Sequence, residues 1–460
     1  MPKPIEIPNF VGMNDVKTAE GFFTEKDAAE PSAILNADVD IRGRLVRRPG
    51  KTRLVLLPHA HSLWAGNSCM LCCADGVLYD IQGVIATSVG TTGIDAPLSY
   101  EEIDDLIYIS SKYWNGIYSH VTKAIASWGV ALPPSPVLLP AVGSLPAGYY
   151  RVCMTNVVGS ELSGNGLIST IELTSVGGIQ ILNRPAGAIV WCTDQNEGIF
   201  YRVGAVDVIA DIPSVEPLPS FMCSPPPYMD NLCYAFGLLW GSVDNIVFYC
   251  QPYKYSWYKP TTNRFKFDSE VSIIARVPTG LFIGCLEKTS FLAGTEPAKM
   301  QQSYAGTGSI PGTLVYCHNL PELGDILGTS EKGYVSVPVW RTLDGIVAGN
   351  AGGRLFNLSK DKLRLDTVER GASLYTNVDG TFKFLTSAKR GHGGSAVGVL
   401  NAVTAALFAS GKISQSEFAH RGMGSTQSIR DTAICDLNKY FARTEESSMS
   451  FEDEVTCELL

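Results

Sequence analysis

Apolar and polar positions along this chain alternate in short bursts, and one arrangement of them recurs. An apolar run of small and branched residues meets a tight polar turn, then a second apolar run with an aromatic near its start. Residues 68–74 turn at Asp75-Gly76 into residues 77–81, and residues 106–110 turn near Lys112 into residues 113–118. Residues 236–243 turn at Asp244-Asn245 into 246–249, residues 280–286 at Glu287-Lys288 into 289–294, and residues 345–351 at Gly352-Gly353 into 354–358. Asp-Gly, Asp-Asn and Gly-Gly pairs suit two-residue hairpin turns because they tolerate positive φ. Five such hairpins predict a repeated all-β architecture.

The turns are spaced by about 37, 132, 43 and 65 residues, against roughly 40 to 50 for a four-stranded propeller blade. The long gap equals one period plus about 90 residues, the length of a small domain. Proline clusters bracket that excess: Pro133, Pro134 and Pro136 before it, Pro225, Pro226 and Pro227 after it. Between them, short alternating runs at 148–155, 168–173, 178–182, 188–193 and 198–203 follow one another at about ten-residue spacing, as in an immunoglobulin-like sandwich. The pattern predicts an all-β chain with a β-propeller-like body in two parts, residues 1–132 and 225–390. An inserted immunoglobulin- or fibronectin-like sandwich at residues 133–224 interrupts it. Residues 391–460 form a C-terminal extension, with helical spacing over 397–409 and 429–443 and an acidic end.

Composition fits a turn-rich β protein: 18% charged residues, 45 glycines and 26 prolines. No apolar run is long enough to span a membrane, so no membrane insertion is expected. The N-terminal residues lack an apolar signal core. The expected compartment is a reducing cytoplasm, where the 12 cysteines serve as buried apolar residues. The formal net charge of −9 disfavours a sequence-specific DNA binder. A local basic cluster, Arg42, Arg44, Arg47, Arg48, Lys51 and Arg53, reads either as a phosphate contact or as a solvated strand face.

Catalytic patterns fail on spacing. Residues 391–396 fit G-x-G-x-x-A, but too little chain follows to build a dinucleotide-binding sheet. Lys51 and Thr52 follow Gly50, yet the nearest upstream glycine, Gly43, is out of register for a phosphate loop. His59 and His61 with Cys69 and Cys72 are the best metal candidates. A strand through residues 69–73 would send those two thiols to opposite faces. The expectation is therefore no catalytic residue, no cofactor and no metal. The aromatic loop bearing Tyr253, Tyr255, Trp257 and Tyr258 is the expected contact surface, since exposed aromatics anchor interfaces.

Residues 36–52 (NADVDIRGRLVRRPGKT) resemble the opening blade of tailed-bacteriophage β-propeller virion proteins, and residues 246–258 with 280–297 are similar to later blades of that group. The segment Leu145-Pro146-Ala147-Gly148-Tyr149-Tyr150 resembles an immunoglobulin- or fibronectin-like insert. The resemblance covers about residues 30–390 and leaves the last 70 or so unmatched. It implies a tail hub or nozzle protein, a homo-oligomeric ring (a hexamer) around the DNA exit channel. Such a protein contacts neighbouring tail and adaptor proteins and lets double-stranded DNA pass without specific binding. Its place is the virion tail, after assembly in the host cytoplasm. A receptor- or glycan-binding propeller and a propeller glycoside hydrolase are the competing readings.

Overall fold

The computed structural model describes residues 9–10, 28–29, 37–39, 44–47, 55–212, 214–318, 336–359, 368–378 and 381–389. Among them the chain is all-β: small sheets, antiparallel but for the parallel pairing of Asn9–Phe10 with Ala28–Ala29, and a single three-residue 3-10 turn, Pro297–Lys299. It divides into two compact units. One comprises Trp64–Arg276 with Thr295–Met300; the other comprises Met1–Leu63, Val277–Gly294 and Gln301–Leu460.

The larger contiguous unit opens with three successive antiparallel strands, Met70–Ala74, Val77–Gln82 and Ile85–Thr91, which belong to the first meander. Asp75 and Gly76 close the first hairpin with φ of 50° and 73°, the twist that matches right-handed strands. A second, four-stranded meander follows in chain order: Ser99–Ile103, Leu106–Ser110, Asn115–Ser119 and Ala124–Ala126. The sequence placed Tyr113 and Trp114 in its second hairpin strand. They belong instead to the loop, because the Ser111 hydroxyl accepts both of their amide protons at 3.2 and 3.1 Å.

Alternation decides what these strands bury. Leu71 and Leu78 from the first meander meet Ile107, Ile109 and Tyr118 from the second in one core. Each such aliphatic side chain contributes about 1.5–3 kcal/mol on full burial. Asp80 lies two positions beyond Leu78 and shares its face, so it enters this core as well and is only 2% exposed. The hydroxyl of Tyr118 donates to Asp80 Oδ2 at 2.9 Å, and the Gln82 amide donates to the same oxygen at 3.2 Å.

The third meander contains Asp230–Ala235, Leu238–Val243 and Ile246–Gln251. Its outer position is shared: Lys254–Tyr258 pairs at Cys250 and Gln251, while Arg264–Lys266 pairs at Ile246–Phe248. The sequence began the third hairpin at Phe236, but Phe236 and Gly237 form the preceding turn, with φ of 58° and 74°. Serines of the second meander cap backbone amides of the third. Ser110 accepts from Met229 N–H at 2.9 Å and Ser99 from Leu232 N–H at 2.7 Å.

The segment between these meanders is a two-sheet sandwich. One sheet orders Leu138–Leu145, Gly177–Ile181 and Val208–Ile209; the other orders Ser169–Leu173, Gly148–Thr155, Ile189–Thr193 and Phe200–Gly204. Tyr150, Val152, Met154, Val190 and Cys192 from the second sheet pack on Ile179, Ile181 and Ile209 from the first. Where the chain crosses between sheets, the Tyr150 hydroxyl donates back to the Pro146 carbonyl at 2.9 Å. The two ends of the segment meet. A β-carbon on Gly129 would lie 2.9 Å from Pro226 Cδ and 3.2 Å from Pro225 Cβ.

The other unit repeats the up-and-down order. Gly280–Cys285, Lys288–Ala293 and Gln301–Thr307 are antiparallel neighbours. Val315–Cys317, Val337–Thr342, Gly345–Gly349 and Leu355–Asn357 make a four-stranded sheet. The hairpin of Arg370–Val378 and Thr381–Lys389 packs Tyr375 and Phe384 against Cys317, Val339 and Ala348. Residues 391–460, with the expected helices and the G-x-G-x-x-A pattern, lie outside the described residues.

Candidate interface at the insert junction

The four candidate aromatics do not share a loop. Residues 254–258 form a strand, Lys254–Tyr258, and alternation assigns the rings different roles. Tyr258 is fully buried: its hydroxyl donates to the Leu239 carbonyl at 3.1 Å and its ring meets Trp128 edge-on. Tyr255 is half-buried, edge-on to both Tyr108 and Tyr234 at centroid distances of 5.7 and 5.8 Å. Trp257 is half-buried as well, with the Lys254 ammonium 5.4 Å from its ring centre. Tyr253, just before the strand, presents its ring to solvent at 73% exposure. It adopts φ of 56°, and its N–H donates to the Gly237 carbonyl at 3.0 Å. Any β-carbon at position 237 would sit 2.9 Å from the Tyr253 ring, so the glycine lets the ring lie against the turn.

What this strand grips is the two-sheet segment between the meanders. The Trp257 indole N–H donates to the Leu162 carbonyl at 2.7 Å, and the Ser256 hydroxyl donates to Glu161 Oε1 at 3.2 Å. Glu161 and Leu162 form one side of a two-residue hairpin with Val157–Val158. Tyr258 and Ser224 exchange two backbone hydrogen bonds, at 3.0 and 2.8 Å. The Trp128 indole N–H donates to the Tyr255 carbonyl at 3.1 Å. Sequence reasoning missed Glu161 and Leu162; the local signal was the Gly159-Ser160 turn after the apolar pair Val157-Val158.

The sandwich also has an apolar outer face. On its three-stranded sheet Leu139 pairs with Gln180 and Gln180 with Val208, while Leu182 N–H bonds the Val137 carbonyl. Val137, Leu139, Leu182, Val206 and Val208 are all exposed. A solvent-facing sheet surface usually alternates polar outward, so these positions depart from the rule.

A carboxylate sits at the seam between the second and third meanders. Glu101 Oε1 lies 3.3 Å from Arg276 Nη1, which also donates to the Tyr234 carbonyl at 2.7 Å. The Glu101 side chain is 19% exposed. Burial pushes its carboxyl up to about 7, against the opposing pull of Arg276 and of the Tyr234 amide, with Glu102 adding a smaller upward push.

The ten cysteines among the described residues are free thiols. Burial, with Asp95 next in size, pushes Cys73 up to about 12, and burial with Asp80 and Glu102 pushes Cys69 up to about 11. Such thiols are poor nucleophiles at neutral pH. Cys72 is buried within strand Met70–Ala74 and Cys69 is half-buried just ahead of it. His61 Nδ1 lies 2.8 Å from the Ser62 hydroxyl. Of the basic cluster, Arg44 and Arg47 are exposed and the remaining members lie outside the described residues.

No family model matches the chain, and no curated protein matches its sequence significantly. Among solved structures, the N-terminal part of BBS1 in complex with ARL6 aligns at 9% identity over 72% of this chain and 89% of its own, with a TM-score of 0.30. The WD40 domain of Neurospora crassa Pan2 aligns at 8% identity over 63% and 72%, with a TM-score of 0.23. The computationally designed Ika8 protein aligns at 11% identity over 74% and 100%, with a TM-score of 0.26. Superpositions this loose transfer neither a function nor a detailed architecture.

Proposed function

We propose that this protein is a structural component of a bacteriophage tail, a hub or nozzle subunit that forms a homo-oligomeric ring, a hexamer, around the DNA exit conduit. In this reading the recurring meanders are blades of a propeller-like body and the insert is an immunoglobulin- or fibronectin-like arm. Strand pairing supports the arm. Leu138–Leu145 and Gly177–Ile181 pair as strands B and E of such a sandwich, and Gly148–Thr155, Ile189–Thr193 and Phe200–Gly204 as C, F and G. Ser169–Leu173 takes the C′ place, and Val208–Ile209 stands where strand D normally pairs with E.

The observation that carries the reading is the apolar outer face of the arm, held fast by the Trp257 and Tyr258 contacts. Exposed apolar surface on a fixed element favours a partner, and a cyclic ring repeats one heterologous contact until it closes. The acidic balance suits a conduit that DNA passes without sticking. Light scattering and particle imaging of the full chain test this. Closed rings, disrupted by Leu139→Lys with Val208→Lys, are expected. A monomer at every concentration, in both proteins, would sink the ring. Tyr253, exposed and seated on a glycine turn, favours a second reading as a receptor or glycan platform. A monomer that binds immobilised glycans through Tyr253 would favour that reading instead.

A further inference from the structure

The strand edges of the two-sheet segment are not treated alike. On the first sheet, Pro140 interrupts Leu138–Leu145 and the register shifts between Ala141 and Leu145, while Val208–Ile209 is only two residues long. On the second sheet, the chain's own residues cover Phe200–Gly204. Arg202 N–H donates to the Glu216 carbonyl at 3.1 Å and Leu218 N–H to the Phe200 carbonyl at 2.9 Å. Proline, bulges, short strands and covering chain all keep a sheet edge from pairing with another strand. Ser169–Leu173 is different: it is five residues long, contains no proline and pairs with residues 148–152 without a shift. Alternation fixes which of its peptide groups face outward. Arg151 N–H donates to Thr193 Oγ1 at 3.1 Å and Asn196 N–H to the Tyr149 carbonyl at 3.0 Å, both on the side of Ile189–Thr193. Tyr150 and Val152 therefore turn their peptide groups to Ile171 and Ser169. The N–H and C=O of Thr170 and Glu172 point off the open edge and have no hydrogen-bond partner among the described residues.

We propose that this edge is a homotypic docking site, where two copies of the chain pair antiparallel about a two-fold axis at Ile171. Charge selects both the occupant and the register. On the outer face Thr170 lies beside Arg151, and Glu172 lies beside Tyr149. Arg151, Thr170 and Glu172 are all exposed, and Arg151 makes no ion pair among the described residues. Glu172 accepts from the Tyr149 hydroxyl, which leaves its second carboxylate oxygen for another donor. With the axis at Ile171, Thr170 stands opposite Glu172 of the second copy, so each outward peptide group finds a partner. One row then reads Arg151, Thr170, and Glu172 and Tyr149 of the second copy. The arginine and that glutamate are two strand spacings apart, about 9.6 Å between Cα atoms, which their long side chains bridge over the threonine. Centring the axis on Glu172 would set carboxylate against carboxylate, and centring it on Thr170 would leave Arg151 without an acid. The two-fold also brings Leu167, just before the strand and 76% exposed, to the end where Val176 of the other copy is 69% exposed. Such a contact is isologous and joins copies two by two, so it is separate from the heterologous contact of a ring.

Mixing two variants of the full chain, Thr170→Cys and Glu172→Cys, reads the register. The paired geometry sets these positions opposite each other at about 5.5 Å between Cα atoms, within disulfide reach. Mild oxidation of the mixture should yield a 170–172 cross-link between copies, identified by peptide mass mapping, at least about tenfold more abundant than any cross-link in either variant alone. A mixture that cross-links no more than its separate components overturns the proposal. Should either cysteine variant fail to fold, sedimentation of charge variants decides. Arg151→Glu should weaken two-by-two association roughly tenfold, and adding Glu172→Arg to it should restore association. Equal sedimentation of wild type, Arg151→Glu and the double variant overturns the pairing.

Discussion

Asp80 shows what a single side chain can impose on the fold. It is a carboxylate in an aliphatic core, with Tyr118 and Gln82 both donating to Oδ2. Oδ1 is buried and has no hydrogen-bond partner among the described residues. Burying a carboxylate is tolerable only while it is bonded, so the Tyr118 hydroxyl matters more than its size suggests. Tyr118→Phe should lower stability by about 2 kcal/mol, the range for a hydrogen bond to a charged group, read as a shift in urea midpoint. A shift of a few tenths of a kcal/mol would mean that the hydroxyl and Asp80 are not bonded in solution. Only part of this was legible in the sequence. Asp80 follows the alternation of Leu78, so its inward direction could be derived, but its partner stands 38 residues away and no local pattern names it.

At the scale of elements, turns were the legible part. Each of the five sequence hairpins is present as an antiparallel pair, because a short turn and its flanking strands are decided locally. Strand starts slipped where a side chain intervened, as at Ser111, or where a turn came earlier than the apolar run suggested, as at Phe236. The aromatic segment was misjudged for a different reason. Four aromatics within six residues suggested an exposed loop, yet period-two geometry buries Tyr258 and turns Trp257 toward a hairpin 95 residues away in sequence. Trp257→Phe keeps most of the ring and removes the N–H donor. The expected result is faster amide exchange across residues 157–162, with the meander strands unchanged. Unaltered exchange there would show that the indole bond does not hold the arm.

For the whole molecule, the expectation of an insertion came from a break in period, and the contact of Gly129 with Pro225 and Pro226 brings the flanks of residues 133–224 side by side. Closing that gap with a few flexible residues in place of 133–224 should leave a folded remainder. It should be less soluble, because strand Lys254–Tyr258 loses its cover over Ser256 and Trp257. Circular dichroism and sedimentation check both expectations. Failure to recover any folded protein would mean that the sandwich is needed for the meanders to form. What the sequence could not supply was the seam chemistry: Ser99, Glu101 and Arg276 are ordinary residues until the strands bring them together.

The junction has a consequence for how such a chain can change over time. Trp257 binds the carbonyl of Leu162, not its side chain, and the Ser224–Tyr258 contact is made entirely by backbone. Main-chain acceptors are offered by any residue type, so most of the docking code is written on the meander side alone. A sandwich of quite different sequence could therefore occupy the same seat, provided that it kept a short hairpin there and two ends side by side. The arm is thus free to diversify, or to be exchanged as a unit, while the body that carries it stays the same.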